Sequence, residues 1–256
     1  MSHLVNFSIP DLTRHRTAVA LLPVVLPAAY VAYLHWAVWR STTRTTGQLS
    51  PSSAHAPAAP KGLPANVAAH PDDWVVCYER VVSGPVSAAT LVHKLRGGSG
   101  NTPGPLLTAY LRTTFKAFSW TPQALLIRAM VAEPVRKASF AAAHVDGLAF
   151  AGGDVVDGVY RVTSYECKES GGGGEAVELS IDTPSSYAGP PVRGLIRSAV
   201  EEGKGGGDEV RFVNETWLWR GRREKPTMLE NALGRWLHGL LAGWLVMKGV
   251  GGVTRR

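Results

Sequence analysis

The 256-residue chain has little cysteine and few acidic side chains. Its two cysteines, Cys77 and Cys167, exclude a disulfide-stabilised scaffold and a zinc site with four cysteine ligands. Lys and Arg outnumber Asp and Glu by 27 to 20. However, residues 71–256 hold 22 basic and 19 acidic side chains, a net charge of only +3. That balance is too even for the electrostatic footprint of a nucleic-acid-binding domain, so no nucleic-acid partner is expected.

The common catalytic and metal-binding motifs are also missing. The chain contains no P-loop, no dinucleotide fingerprint, no G-x-S-x-G elbow, no H-E-x-x-H and no C-x-x-C. Its eight histidines never fall at metal-ligand spacing. We therefore expect no metal and no other cofactor, and whether the protein is an enzyme stays open.

Charge is absent from one long stretch near the N-terminus. Residues 17–39 are 23 consecutive residues without Asp, Glu, Lys or Arg. A helix of that length would span roughly 34 Å, enough to cross the apolar core of a bilayer. Its C-terminal end carries the aromatic residues of an interfacial belt, namely Tyr30, Tyr33, Trp36 and Trp39. We interpret the stretch as a transmembrane anchor of a single-pass membrane protein; a cleaved signal peptide and a buried or interfacial helix are the alternatives.

The regions that flank this stretch complete the predicted domain plan. Residues 1–16 form a short N-terminal tail. Residues 40–70 are predicted to be a flexible linker, since 21 of the 30 residues in 41–70 are Ser, Thr, Pro, Ala or Gly. Residues 71–256 form one α+β domain that binds a ligand.

The pattern of apolar residues predicts helices between the first strand and a run of later strands. Alternating apolar residues indicate strands at 74–82, 155–166, 175–182 and 209–220, with 195–200 as a strand or a short helix. Helical spacing and Pro-containing start signals predict helices at 86–96, 106–118, from Pro122, and from Pro134 to about 144. A last amphipathic helix is predicted at 227–250, where Thr227 and Glu230 resemble a capping box.

This order of elements resembles the helix-grip fold of the START and polyketide-cyclase-like superfamily, over roughly residues 74–250. The resemblance implies a curved antiparallel sheet wrapped on the long C-terminal helix, with an apolar cavity between them. It lies in element order alone, so it assigns no functional residue. A hotdog fold, which also wraps a sheet on a long helix, is the alternative.

Glu215 is the first candidate catalytic residue. In the strand at 209–220 it shares one face with Trp217 and Trp219, and Asn214 lies on the other. A carboxylate beside two tryptophans would be partly desolvated, which raises its pKa and suits a general acid or base. The alternative is an ion pair between Glu215 and an arginine of a neighbouring strand, such as Arg193 or Arg161.

Asp157 is the second candidate catalytic residue. It lies with Asp154 in the segment GGDVVDG at the entrance to a predicted strand, shortly before Tyr160. Two carboxylates at a cavity mouth can form an acid–base pair with unequal pKa values. The alternative is a pair of solvated turn residues, since Asp and Gly are common in turns. The residues expected to shape the substrate-binding pocket are Trp217, Trp219, Tyr160 and Asn214.

These features together predict a membrane-anchored domain that binds a hydrophobic small molecule or lipid. Its chemistry would be proton transfer, as in a cyclase, isomerase or dehydratase of polyketide or terpenoid secondary-metabolite biosynthesis. A non-catalytic lipid carrier or sensor and a hotdog-type acyl thioesterase remain open. For the thioesterase, Asp154 or Glu230 would carry the chemistry.

Overall fold

A computed structural model describes residues 16–50, 56–95, 102–168, 174–203 and 208–255, without the side chains of 16–22 and 168. The chain divides into two compact units after Ala37. Helix α1 spans Arg16–Ser41 and contains Pro23 and Pro27. Within the described residues, no helix combines the length and the apolar character that crossing a membrane requires. Residues 1–15 of the predicted tail lie outside the described residues.

The second unit is built on one antiparallel sheet of eight strands. The strands are β1 (Thr42–Gln48), β2 (Trp74–Ser83), β3 (Val86–Ser87), β4 (Val155–Val156), β5 (Tyr160–Lys168), β6 (Gly174–Ile181), β7 (Gly194–Glu202) and β8 (Glu209–Gly221). Their order across the sheet is β1-β2-β8-β7-β6-β5-β4, and β3 pairs with one end of β8. The predicted α+β class with an antiparallel sheet is confirmed.

Among the described residues, six further helices accompany the sheet. They are α2 (Ala65–Ala69), α3 (Pro105–Phe118), α4 (Pro122–Met130), α5 (Pro134–Ala138), α6 (Ala142–Gly147) and α7 (Ala232–Val253). The long C-terminal helix packs against the sheet, as predicted, and also against α3. It begins later than expected, because Asn231 Oδ1 caps it by accepting from the Gly234 N–H at 2.6 Å. Glu230 still accepts from the Thr227 N–H, but in the turn before the helix.

Residues 42–48 belong to the sheet and are not part of the flexible linker we expected. Strand β1 pairs with β2 along its whole length, from Thr42 opposite Ser83 to Gln48 opposite Cys77. The segment is mostly threonine, which favours strands because its branched side chain suits a pleated surface. Composition alone reads such a polar run as disordered, whereas the exposed edge of β2 supplies backbone partners for it.

The described end of the linker, residues 56–70, also packs on the sheet. Glu178 is buried, and its carboxylate accepts the N–H groups of Lys61 at 3.0 Å and Gly62 at 2.7 Å. A Cβ at Gly62 would lie 2.9 Å from Leu195 Cδ2, so a larger residue there would have to displace the Leu195 side chain. This part of the linker, residues 56–70, therefore lies over one face of the sheet, and we call it the covering segment.

The two faces of the sheet pack against different layers. One face, which we call the helix face, meets α3 and α7 in the main core, which includes Tyr110, Leu111, Phe212 and Leu245. The opposite face meets the covering segment in a smaller core formed by Leu63, Val67, Val76, Tyr78, Leu195, Trp217 and Trp219. Burial on both faces explains why the central strands carry large apolar side chains at successive positions.

The glycines of α7 let other groups approach its backbone. A Cβ at Gly239 would collide with the guanidinium of Arg44, and one at Gly243 with the side chain of Val38. The Gly239-xxx-Gly243 pair thus accommodates side chains from residues 38–44 inside the folded domain. By contrast, a Cβ at Gly251 would meet nothing within 4 Å.

Two predicted helices differ in the structure. Residues 86–96 contain the short strand β3 and a 3-10 turn at Ala88–Thr90, since β8 offers an edge that β3 can pair with. The helix expected from Pro134 is divided into α5 and α6, because a turn at Ser139–Ala141 separates them. The helix from Pro122 is confirmed, with Thr121 Oγ1 accepting from the Ala124 N–H at 3.2 Å.

Candidate functional site

A cavity of about 40 Å³ lies between the helix face of the sheet and helices α3, α4 and α7. By volume it holds a few water molecules. Its polar lining comes from Thr114, Gln123, Ser198, Asn214, Thr216 and His238. Its apolar lining comes from Phe115, Phe118, Tyr160, Ile196, Leu241, Ala242 and Leu245. The lining is therefore mixed, with polar groups that can orient a ligand and apolar ones that can contact it.

His238 is the one imidazole among the lining residues, and a buried carboxylate holds it. Its Nδ1 lies 2.7 Å from Glu79 Oε1. The Glu79 side chain is only 1% exposed, and strand β2 presents it to the helix face opposite Thr216 of β8. His238 and Glu79 are 159 residues apart in sequence, so the packing of α7 on β2 creates the pair.

Arg44 of β1 completes this cluster. Its Nε donates to Glu79 Oε2 at 2.8 Å, its Nη2 contacts the same oxygen, and Nη2 also donates to the backbone carbonyl of Arg235 in α7. Both oxygens of the buried carboxylate are thereby satisfied, which offsets the cost of removing the charge from water. The cluster links β1, β2 and α7.

The contact with Glu79 indicates which nitrogen of the imidazole carries the hydrogen. An ionised carboxylate can only accept hydrogen bonds, so the Nδ1 atom of His238 must carry a proton. In the neutral ring, Nε2 then has a free lone pair. None of the described residues forms a hydrogen bond with this Nε2 atom. The arrangement is that of a general base whose tautomer and orientation are set by a carboxylate.

Asn214 provides a second functional group in the cavity. It lies in β8 between Val81 of β2 and Ser198 of β7, and its side chain is 8% exposed. Its buried Oδ1 atom accepts no hydrogen bond from any described residue. Because an unsatisfied buried acceptor costs about 1–3 kcal/mol, this atom is a ready partner for the N–H or O–H of a ligand.

Tyr160 and two phenylalanines form the apolar side of the cavity. The Tyr160 ring lies 5.7 Å from Phe118 in an edge-on arrangement and 6.0 Å from Phe115, centroid to centroid. Burial raises the pKa of Tyr160, and the negative charge of Asp157 raises it further. Tyr160 is therefore a neutral phenol near neutral pH.

Asp157 is buried next to the cavity and is not among its lining residues. Ser119 Oγ donates to Asp157 Oδ1 at 2.6 Å, whereas the buried Oδ2 atom has no partner among the described residues. Burial raises the pKa of Asp157 to about 7, against the opposing effect of the Ser119 hydrogen bond. Its φ of 48° lies in the left-handed region, which Asp tolerates better than most residues. The alternative interpretation of Asp157 as a solvated turn residue was wrong, since the residue is 0% exposed.

Glu215 lies on the opposite face of the sheet from the cavity. Its carboxylate contacts the guanidinium of Arg80, lies 3.7 Å from Arg197, and accepts from Trp217 Nε1 at 3.1 Å. An ion pair, the alternative to a catalytic role, is thus present, but its arginines are Arg80 and Arg197 of the neighbouring strands and not Arg193 or Arg161. Trp217 and Trp219 pack on the covering segment, where residues such as Leu63 occupy the space that a ligand would need.

The structure thus separates the predicted site residues into two groups. Asn214 and Tyr160 line the cavity and Asp157 lies close to it, whereas Glu215, Trp217 and Trp219 lie across the sheet. The two residues named for a thioesterase have local contacts: Asp154 accepts from the Ala151 N–H, and Glu230 pairs with Arg220. In the described ranges, no three His, Cys, Asp or Glu side chains are grouped as a metal site requires.

Sequence reasoning singled out neither Glu79 nor His238. One signal was available for Glu79. In the strand that begins at Trp74, it alternates with Cys77 and Val81, which marks an acidic residue at an inward position. A buried acid of this kind requires a partner, but the pattern does not reveal which residue supplies it.

Comparison with known proteins yields no match to a protein-family model, to a curated protein or to a solved structure. The functional argument therefore rests on the geometry of the cavity.

Proposed function

We propose that the domain binds a small molecule in the cavity beneath α7 and catalyses a proton transfer on it, with His238 as the acid–base residue. The observation that carries this proposal is the contact of His238 Nδ1 with the buried Glu79 carboxylate, in a cavity that His238 lines. In this proposal the acid–base residue is His238, supported by Glu79, in place of Glu215, which the sequence suggested.

The residues of the cavity suit a reaction that moves a proton within one molecule. His238 Nε2 accepts a proton from a carbon next to a carbonyl group, and Glu79 stabilises the imidazolium that forms. The imidazolium then returns the proton to another atom of the same molecule. Asn214 Oδ1 accepts a hydrogen bond from a ligand hydroxyl and so fixes which carbon faces the imidazole. The net result is an isomerisation, and a cyclisation or dehydration begins with the same proton abstraction.

The apolar lining favours a hydrophobic substrate. Phe115, Phe118 and Tyr160 suit an aromatic or polyketide-like ring, and a terpenoid would make similar contacts. The cavity volume of about 40 Å³ is smaller than the roughly 150 Å³ that encloses a benzene ring, so only the carbonyl end of such a molecule enters it and the rings lie outside. We retain the helix-grip arrangement and a place in secondary-metabolite biosynthesis as parts of this proposal.

A non-catalytic lipid carrier or sensor is the second candidate function. The contact of Arg44 with Glu79 favours this candidate. Because the Glu79 carboxylate is already paired with a guanidinium, the cluster has a structural role in holding α7 on the sheet that needs no catalysis. A carrier would bind the ligand through the same lining residues without changing it.

Attachment to a membrane through residues 17–39 is also part of the proposal. Its support is the run of 23 residues without a charged side chain. The membrane and the orientation of the chain in it are not part of the proposal.

Exchange of carbon-bound protons tests the catalytic proposal directly. We would incubate the full chain with 2-tetralone, an aromatic ketone with acidic protons beside its carbonyl, in deuterated buffer and follow the loss of those protons by NMR. We expect exchange faster than in buffer alone for the native chain, and loss of that acceleration in His238→Gln, because glutamine cannot accept the proton.

Two matched variants separate the cavity from other sites. His93 is an exposed histidine, so His93→Gln should exchange protons at the native rate. Glu215→Gln should also retain the activity, because its side chain lies on the opposite face of the sheet. Full activity of His238→Gln together with loss in Glu215→Gln would reject the cavity as the active site. Unchanged 2-tetralone in all variants, with a lipid that co-purifies with the native chain and is released intact, would favour the carrier.

A further inference from the structure

Large apolar side chains are exposed on the two helices that border the cavity at Gln123 and His238. On α4, Leu126 is 62% exposed and Met130 is 46% exposed; on α7, Leu233 is 67% exposed and Leu237 is 50% exposed. We call these four side chains the apolar rim. Trp120, just before α4, is 83% exposed. Exposed apolar groups gathered around a site indicate an interaction surface.

Helical geometry connects the apolar rim to the cavity. Leu126 and Met130 follow the cavity residue Gln123 by three and seven positions, which places them along the same face of α4. Leu237 and Leu233 precede the cavity residue Leu241 by four and eight positions on α7. Each helix thus carries one stripe that begins in the cavity and ends in exposed leucine or methionine.

The helices around the cavity carry charge of one sign. No Asp or Glu occurs in α3, α4 or α7, whereas five basic side chains do, namely Arg112, Lys116, Arg128, Arg235 and Lys248. The acidic residues within the described ranges of the domain lie in the strands and loops and in α6, where Asp146 pairs with Lys116. A helical layer that is apolar and basic is complementary to a surface that is apolar and anionic.

We propose that the apolar rim docks the domain on the surface of a lipid bilayer that contains anionic lipids. The leucines and Met130 enter the boundary between head groups and acyl chains, Trp120 lies at the head-group level where tryptophan is favoured, and Arg128 and Lys248 contact the anionic head groups. This surface is distinct from residues 17–39 and does not depend on the chemistry of His238.

A fluorophore at single positions tests docking in the full chain. In a Cys167→Ser background, which removes the exposed native thiol and leaves the buried Cys77, cysteine is introduced as Leu126→Cys or Leu237→Cys. Val192→Cys is the matched control, because Val192 is an exposed apolar residue of the loop before β7. Each variant is labelled with nitrobenzoxadiazole, whose emission rises and shifts to the blue in an apolar environment.

Vesicles of phosphatidylcholine with and without phosphatidylserine are then added. We expect the blue shift at 126 and 237 with phosphatidylserine present, a smaller effect as salt is raised, and no shift at 192. An unchanged spectrum at 126 and 237, an equal shift at 192, or an equal shift with phosphatidylcholine alone would overturn the proposal. A shift at 126 and 237 without vesicles that grows with protein concentration would assign the rim to a second copy of the chain, and would also overturn it.

Discussion

Replacing Asp157 by asparagine should stabilise the protein at neutral pH. An ordinary aspartate has a pKa of 3.8, and burial raises that of Asp157 to about 7. Near neutral pH, ionisation of this carboxyl therefore lowers the free energy of the unfolded chain more than that of the folded chain. The cost to the folded state is absent below pH 3.8, grows as the pH rises towards 7, and is constant above it. The pKa difference corresponds to about 4 kcal/mol at full ionisation.

Asparagine removes this cost but introduces another. Its Oδ1 atom keeps the hydrogen bond from Ser119, and asparagine tolerates the left-handed backbone of position 157 as well as aspartate does. Its amide N–H groups, however, would replace the unpartnered Oδ2 atom, and an unsatisfied buried donor costs about 1–3 kcal/mol. The net effect of Asp157→Asn at pH 8 is therefore a gain of about 2 kcal/mol in the free energy of unfolding, or roughly 4–8 °C in Tm.

Urea unfolding between pH 5 and 8, followed by tryptophan fluorescence, measures this difference. The advantage of Asp157→Asn should grow with pH and should vanish near about pH 5, where the two costs become equal. Asp154→Asn, in the same turn region, is the matched control for exchanging a carboxyl for an amide. A variant that is less stable than the native chain by the same amount at every pH would refute the reasoning, because burial would then not hold the proton on Asp157.

Two further predictions concern α7 and the N-terminal segment. Gly239→Ala should lower the free energy of unfolding by about 1–3 kcal/mol, because the new Cβ displaces Arg44 from Glu79. Gly251→Ala, where a Cβ meets nothing within 4 Å, should instead raise the free energy of unfolding by up to about 1 kcal/mol, because alanine has the higher helix propensity. Equal urea midpoints for the two variants would contradict this account. The full chain should stay in the membrane pellet after extraction with alkaline carbonate if residues 17–39 anchor it, whereas release into the supernatant would refute the anchor.

Much of the secondary structure could be predicted from the sequence, because it follows from local patterns. Alternating apolar residues placed the strands at β2, β6 and β8 within a few residues of their observed bounds. The Thr121-Pro122 pair predicted the start of α4, since capping and a fixed proline φ act over only a few residues. The alternation of apolar residues could not place β1, because a polar threonine run forms a strand only when the edge of a neighbouring strand offers it hydrogen-bond partners.

The candidate site required the tertiary structure. Alternation correctly separated Glu215 from Asn214 onto two faces of one strand, but it could not tell which face borders a cavity, since both faces of the central strands are buried. The covering segment that fills the face of Glu215 comes from the supposed linker, and the partner of His238 comes from a strand 159 residues away. Sequence by itself determined most of the central strands and longer helices and which of their residues share a face. Only the packing of distant segments decided which carboxylate meets an imidazole, because such contacts depend on how whole layers are placed against each other.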